Sequence, residues 1–190
     1  MKTKYEIDKI KNVVLYALKK YPEGIDNIRL FKILYFSHRE YLSKYGKILF
    51  PDTFKARTYG PVPSLSHKVI KLAENTAEGN DRSVDLESFC LSIKVQNSLV
   101  FALAEPDTDY LSKKECAILD KWCEDCREKD SIKELSPLSH DDAYKEAYKN
   151  SQLDPQKDRL TNMDIAKAGG ASEEMLSYIR EKEIMSMQLA

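Results

Sequence analysis

The side chains best suited to catalysis in this sequence are its three histidines. His38, His67 and His140 lie far apart along the chain, and their spacing does not predict that they meet. The sequence also lacks a glycine-rich phosphate loop, a GxSxG turn, an HExxH motif and a dinucleotide-binding fingerprint. We therefore predict no catalytic residue, no cofactor and no enzymatic activity. The alternative is a hydrolase that uses His140 with Asp141 or Asp142, which would require a concave site holding a nucleophile or a metal.

Three of the four cysteines fall on one predicted helix face. Ser112 and Glu115 have the capping-box spacing that starts a helix, and Cys116, Cys123 and Cys126 follow on its face. Structural zinc needs a full set of protein ligands, and neither a second cysteine pair nor a histidine lies at a typical interval. We predict buried or half-buried thiols here and no metal.

Two of the histidines fit structural roles. His38 interrupts an otherwise apolar helical stripe, which indicates a hydrogen-bonded core residue. His140 belongs to Ser139-His140-Asp141-Asp142, which is predicted to open a helix. A helix N-terminus disfavours a charged imidazole, although a neighbouring carboxylate offsets this effect. We interpret His140 as a residue that hydrogen-bonds a loop to the core.

The elements that must position these residues are organised around a helix predicted to begin after Asp26. Residues 28–36 are apolar on almost every side, and such a helix must be surrounded by other elements. Asp26 can cap its first amides, and Gly46 can adopt the left-handed conformation that ends it at Tyr45. We predict that this is the buried central helix of the fold.

The following segment is predicted to be a connector. Residues 47–58 carry enough apolar side chains to lie against the core as an extended chain. Gly60-Pro61-Val62-Pro63 then forces a turn, and Pro63 suits the first position of the next helix. Turn chemistry alone is a sufficient explanation of this motif.

A β-signal is found at one place. Residues 89–95 and 99–103 are β-prone runs separated by Gln96-Asn97-Ser98, which indicates a hairpin. The polar residues 74–85 indicate a surface loop, and residues 150–158 indicate a polar linker.

The predicted fold class is therefore mainly α, a compact helical domain around a buried central helix with a small β-hairpin. We place this domain at residues 5–150 and a C-terminal helical extension, packed on the same domain, at residues 151–190. No apolar run approaches the ~20 residues needed to span a bilayer, and the basic start leads into a charged helix. We predict a cytoplasmic protein without a membrane partner.

Charge is distributed unevenly along the chain. Residues 1–72 contain 15 Lys and Arg against 6 Asp and Glu, whereas the remainder contains 15 against 25. Either the first half offers a basic face to an acidic partner, or the two halves pack together and neutralise each other.

The pattern resembles the Panacea antitoxin domain family, which includes SocA-type antitoxins and phage-associated GepA proteins. The resemblance covers roughly Tyr5 to Tyr148 and is carried by residues 30–36, 54–63 and 135–140. The residues that match the family motif are Lys32, Leu34, Tyr35, Gly60, Ser139 and His140.

The resemblance implies a mainly helical domain that neutralises a toxin encoded beside it by direct protein binding. In the SocA-like case it also implies delivery of the toxin to a protease. Members of the family pair with unrelated toxins, so the resemblance does not name the target.

A rival interpretation is a nucleic-acid-binding regulator, with DNA as the partner. It requires the basic residues of the first half to share one exposed face that acidic residues leave uncovered. Those residues are Lys32, Arg39, Lys44, Lys55, Arg57, Lys68 and Lys71.

We predict that the toxin contacts Arg57, Tyr59, Pro61 and Val62. A turn fixed by two prolines orders its neighbours in advance, so binding loses less conformational entropy there. Arginine and tyrosine are also the side chains most often found as interface anchors. The alternative is that Tyr59 packs inward and that Arg57 pairs with an acidic group from the second half.

Overall fold

The fold is mainly α-helical, as the sequence predicts. The computed structural model describes residues 2–74 and 84–188. In this part of the chain the helices are α1 (Lys4–Lys19), α2 (Asn27–Tyr45), α3 (Ser64–Glu74), α4 (Val84–Leu91), α5 (Lys113–Asp125), α6 (Ser136–Leu138), α7 (Asp142–Leu153), α8 (Asn162–Ala168) and α9 (Glu173–Gln188). The strands are β1 (Ile25–Asp26), β2 (Phe54–Arg57), β3 (Gly60–Pro63), β4 (Ile93–Gln96) and β5 (Leu99–Ala102).

The central element is α2, along which residues 30–38 are all buried. The Asp26 side chain accepts a hydrogen bond of 2.9 Å from the backbone N–H of Arg29, and Gly46 ends the helix with φ +61°. α1, α5 and α8 pack against α2 and cover its apolar surface. The predicted central helix is confirmed, together with the residues that begin and end it.

α1 and α5 both begin with a capping box. The side chain of the capping residue accepts a hydrogen bond from the backbone N–H of a glutamate three positions later, and the glutamate side chain accepts one from the backbone N–H of the capping residue. The two pairs are Thr3 with Glu6 and Ser112 with Glu115. Glu115 also accepts a hydrogen bond of 2.9 Å from Lys9, so its carboxylate joins the two helices. The capping box predicted for α5 is confirmed.

The predicted hairpin is present, but it is shorter than expected. β4 pairs antiparallel with β5 around a turn at Asn97 and Ser98, whose φ angles of 52° and 63° are those of the tight turns that connect twisted strands. The other edge of β5 pairs with the short strand β1. Together these strands form an antiparallel sheet in the order β1-β5-β4.

The prediction was wrong at the start of this hairpin, where α4 replaces the expected strand. Phe89 and Cys90 are buried on α4, since a short apolar run fits a packed helix as well as a strand. Of the loop predicted at 74–85, residues 75–83 lie outside the described residues, and α4 begins at Val84.

The sequence did not predict the second hairpin, formed by β2 and β3. Phe54 pairs with Pro63 and Arg57 pairs with Gly60, so the expected connector and turn are in fact two strands. Prolines obscure a strand signal, but they are tolerated on an edge strand such as β3, which does not need their missing N–H groups. Pro63 ends β3 and precedes α3, instead of occupying the first position of that helix.

The chain after α7 returns to the open edge of β2. The N–H of Ala56 donates to the carbonyl of Asp158 at 2.7 Å, and the N–H of Leu160 donates to the carbonyl of Phe54 at 2.9 Å. Asp158 is buried. The segment predicted as a polar linker at 150–158 therefore begins as the end of α7 and finishes as a third strand-like segment beside the hairpin.

The last two helices add to the same core. Ile165 and Ala166 of α8 are buried, as are Leu176 and Ile179 of α9, whereas Ile184 is half exposed. The division of the chain at residue 150 stays a prediction. Among the helices that the structure describes, none is both long enough and apolar enough to cross a membrane.

Candidate partner-binding site

Three side chains from the surrounding helices hold three alternate backbone carbonyls of the β2–β3 hairpin. The hydrogen bonds run from Tyr144 Oη to the carbonyl of Arg57 (2.9 Å), from Ser136 Oγ to that of Tyr59 (3.1 Å) and from Lys32 Nζ to that of Pro61 (3.2 Å). Because these donors come from α7, α6 and α2, the hairpin is fixed to three separate helices.

At Gly60 the backbone of the hairpin lies directly against side chains of the surrounding helices. Its φ is +104°, a region that residues with a Cβ atom rarely adopt. A Cβ atom at this position would lie 2.3 Å from Ser139 Oγ and 2.6 Å from Lys32 Nζ. The structure thus brings together three of the predicted motif residues, Lys32, Gly60 and Ser139.

The side chain of Lys32 is buried, and its amine donates a hydrogen bond to the carbonyl of Pro61. The residue is 1% exposed, and its hydrogen bond to Pro61 satisfies a carbonyl at the outer edge of β3. No carboxylate of the described residues pairs with it, and burial lowers its pKa to about 7. The amine therefore loses its proton more readily than an exposed lysine does.

Ser139 and His140 lie beside this amine. The hydroxyl of Ser139 donates to the carbonyl of Ser136 at 2.7 Å, and the ring of His140 stacks on Tyr144 with centroids 4.2 Å apart. Burial lowers the pKa of His140, as does Lys32, whereas Asp141 opposes the shift. Ser139 follows the last residue of α6, and Asp141 caps α7, so the predicted helix begins at Asp142, three residues after Ser139.

Asp141 joins α2 to α7. It accepts hydrogen bonds from Tyr35 Oη at 2.8 Å, from Arg39 Nη1 at 2.6 Å and from the backbone N–H of Tyr144 at 3.1 Å. Burial and the Asp141 carboxylate raise the pKa of Tyr35 well above its usual value. The motif residue Tyr35 thus orients the helix that holds the hairpin, and the motif residue Leu34 packs in the core.

The tip of the hairpin is exposed while its base is buried. The side chain of Arg57 is 51% exposed and Tyr59 is 49% exposed, whereas Val62 is half-buried and Pro61 is buried. Arg57 Nη1 donates to Asp158 at 2.7 Å. Arg57 therefore pairs with an acidic group of the second half, as one interpretation required, but Tyr59 does not pack inward.

Two exposed apolar side chains lie on helices that hold the hairpin. Leu138 on α6 and Tyr148 on α7 are exposed, and Tyr148 stacks on Tyr144 with centroids 5.4 Å apart. We call the surface formed by Arg57, Tyr59, Leu138 and Tyr148 the tip face. It combines one cation with aromatic and aliphatic groups, which is the composition of interface anchors.

The sequence analysis missed the roles of Ser136 and Asp158. Ser136 is an ordinary residue of a short helical turn, and no local pattern indicates that it holds a carbonyl from residue 59. Asp158 lies in a polar stretch after Pro155, and only its position two residues before Leu160 in an alternating segment could have suggested an edge strand.

Carboxylates pair with most of the seven basic residues that a DNA-binding face would need. Lys32 is buried and Lys68 is exposed, and the other five of the seven form ion pairs. These pairs are Arg39–Asp141, Lys44–Glu40, Lys55–Asp158, Arg57–Asp158 and Lys71–Glu74. Pairs such as Lys9–Glu115 and Lys20–Asp120 also join the two halves, which favours mutual neutralisation over a basic binding face.

The remaining histidine and cysteine side chains lie in the core or at its edge. His38 is a core residue, as predicted, and its ring packs edge-on against Phe50 and Phe54. The predicted hydrogen bond is not found, since neither ring nitrogen has a partner of hydrogen-bond geometry among the described residues. Burial lowers the pKa of His38 to about 4, and the Asn162 side chain opposes that shift. Cys123 is a buried thiol whose pKa burial raises to about 12.

Together the fold and these contacts define a mainly α-helical domain in which Lys32, Ser136 and Tyr144 hold a surface hairpin. The sequence profile of the family described as antitoxin SocA-like, Panacea domain, matches residues 30–145. Since the match spans more than half of the chain, the protein belongs to this family. No curated protein and no solved structure matches the chain.

Proposed function

We propose that this protein is an antitoxin that neutralises a cognate protein toxin by direct binding through the tip face. Membership of the antitoxin family supports the general role. The observation that carries the choice of surface is the exposure of the Arg57 and Tyr59 side chains at the end of a hairpin whose backbone carbonyls are held by three helices.

A fixed hairpin suits this purpose because association costs less entropy when the contacting backbone is already ordered. The carbonyls of Arg57 and Tyr59 are each held by a side chain, so the two side chains start from a defined position. Leu138 and Tyr148 add apolar surface that a partner can bury beside them.

The test is co-expression with the product of the adjacent reading frame. Arg57→Ala combined with Tyr59→Ala should abolish protection from the toxin. The melting temperature should fall, because the buried Asp158 carboxylate keeps only Lys55 as an ion-pair partner, so protection is compared at a temperature at which both proteins are folded. Tyr178→Ala with Arg180→Ala on α9 is the matched control, because both residues are exposed on another element. A stable double variant of the hairpin that still protects the cells would contradict the choice of surface.

Delivery of the toxin to a protease is the finer form of this function, and the resemblance to SocA-type antitoxins supports it. The half-life of the toxin in cells separates the two mechanisms. A protease adapter shortens the half-life of the toxin, whereas an antitoxin that acts by occlusion alone leaves it unchanged or lengthens it.

Regulation of transcription by binding to DNA is a second role with less support. Carboxylates pair with most of the basic residues that a DNA-binding face would need. Binding to a duplex from its own promoter, measured at several salt concentrations, tests it.

A further inference from the structure

We infer that Asp158 is a positioning residue for the partner contact, and that it orients Arg57 to receive a carboxylate of the toxin. This inference rests on the proposed function and names the chemistry of the group that the tip face recognises. Asp158 lies outside residues 30–145, so the family match does not contain it.

Asp158 is held in place from two sides. Its backbone carbonyl accepts the N–H of Ala56 at 2.7 Å, and the N–H of Leu160, two residues later, donates to β2. Its side chain is 4% exposed and pairs with Arg57 at 2.7 Å and with Lys55 at 3.2 Å. A carboxylate fixed by its own backbone can fix the direction of a longer and more flexible arginine.

The hydrogen bonds of the Arg57 side chain are both donated by one nitrogen of its guanidinium group, Nη1. Nη1 donates both to Asp158 and to the carbonyl of Ala56, at 2.7 Å and 3.1 Å. Nε and Nη2 form no hydrogen bond with the residues that the structure describes, and the side chain is half exposed. These two atoms form the edge of the guanidinium group that binds a carboxylate through two parallel hydrogen bonds.

The charge of this cluster favours an anion. Two cations, Lys55 and Arg57, share the single carboxylate of Asp158, so one positive charge is left uncompensated. His67 responds to the same charge, since burial first and then Lys71 and Arg57 lower its pKa. An aspartate or glutamate side chain of the partner supplies the missing negative charge and matches the geometry of the free edge.

A double-mutant cycle tests this inference with the purified toxin from the adjacent reading frame. We expect Arg57→Ala to weaken binding about a hundredfold and Asp158→Asn about tenfold, as is typical of an anchor and of a group that orients it. In the Arg57→Ala background, Asp158→Asn should have no further effect on affinity. Asp154→Asn is the control, because Asp154 pairs with Lys157 at 3.9 Å in a more exposed position.

Arg57→Lys separates geometry from charge, since it keeps the positive charge and loses the two-bond edge. Wild-type affinity in this variant, or equal losses from Asp158→Asn in both backgrounds, would overturn the inference. Asn keeps the shape of Asp158 and its backbone bonds, so the Asp158→Asn variant should retain the fold. Binding is measured below the melting temperature of each variant. A wild-type protein that fails to bind the toxin would instead reject the proposed function.

Discussion

Lys32 and Ser139 occupy the space in which any other residue at position 60 would place its Cβ atom. Gly60→Ala therefore meets two obstacles, a positive φ and a clash with both side chains. We expect it to lower the free energy of unfolding by about 3 kcal/mol, of which backbone strain contributes roughly 1 kcal/mol. Chemical denaturation measures the loss.

Gly170→Ala is the control for this prediction. Gly170 has φ +80°, but nothing lies within 4 Å of an added Cβ atom. This variant should show the backbone strain alone, about 1 kcal/mol. Equal losses in the two variants would mean that Lys32 and Ser139 move aside without cost.

Lys32 predicts a pH dependence of stability. Its pKa falls from an unfolded value of 10.5 to about 7 in the folded protein. The unfolded state therefore binds more protons between these values, and stability rises with pH across that window. Relative to Lys32→Met, the wild type should gain about 2 kcal/mol between roughly pH 7 and pH 9.

Comparison of the two proteins at each pH removes the contribution of the other titrating groups that they share. Denaturant titrations at several pH values give the difference. A constant difference between wild type and Lys32→Met would contradict the lowered pKa of the amine.

Between elements, the contact from Tyr35 to Asp141 joins the central helix to α7. Tyr35→Phe removes one donor from a largely buried carboxylate and should cost about 1 to 2 kcal/mol of stability. Asp141 also accepts the backbone N–H of Tyr144, so the variant should leave Tyr144 less firmly positioned. The hydroxyl of Tyr144 holds the hairpin through the carbonyl of Arg57. Thermal unfolding checks the loss.

Tyr5→Phe serves as the comparison, because Tyr5 is exposed and its loss of a hydroxyl should change stability by less than about 0.5 kcal/mol. If Tyr35→Phe were equally silent, the bond to Asp141 would contribute nothing to the packing of α2 on α7.

Sequence reasoning succeeded where the signal is local. The ends of α2 follow from Asp26 and Gly46, and the start of α5 follows from its capping box. It failed at β2 and β3, because Pro61 and Pro63 make the local sequence unlike that of a strand. Strand β3 is stabilised by its pairing with β2, which a local pattern does not show. The pairing partner of an edge strand is distant in sequence, and no local pattern encodes it.

The candidate site shows the same limit. The resemblance selected Lys32, Gly60 and Ser139, but their meeting point depends on packing between α2, the hairpin and α6. Asp158 carried no motif and was not found, since its role arises from a contact with residues a hundred positions earlier.

At the scale of the molecule, the second half completes the first. The basic first half forms ion pairs with carboxylates that come later in the chain, and α8 covers part of α2. We expect a chain that ends at Asn150 to lose cooperative unfolding, because it lacks Asp158, Ile165 and Leu176. Circular dichroism during heating tests this expectation.

A chain that ends at Gln188 is the control for shortening as such, since it keeps every buried residue named above. A cooperative melt of the chain ending at Asn150 would show that residues 151–190 are dispensable to the core.

The hydrogen bonds that hold the hairpin are accepted by backbone carbonyl oxygen atoms, which every amino acid possesses. The identity of the side chains at Thr58 and Tyr59 is therefore of no consequence to the donors that hold the loop. Over evolutionary time these two positions can drift while Lys32, Ser136 and Tyr144 preserve the loop's shape. If the tip face binds the toxin as proposed, its specificity can change while the helices that hold the loop stay the same, and sequence variation among relatives should concentrate at the end of this loop.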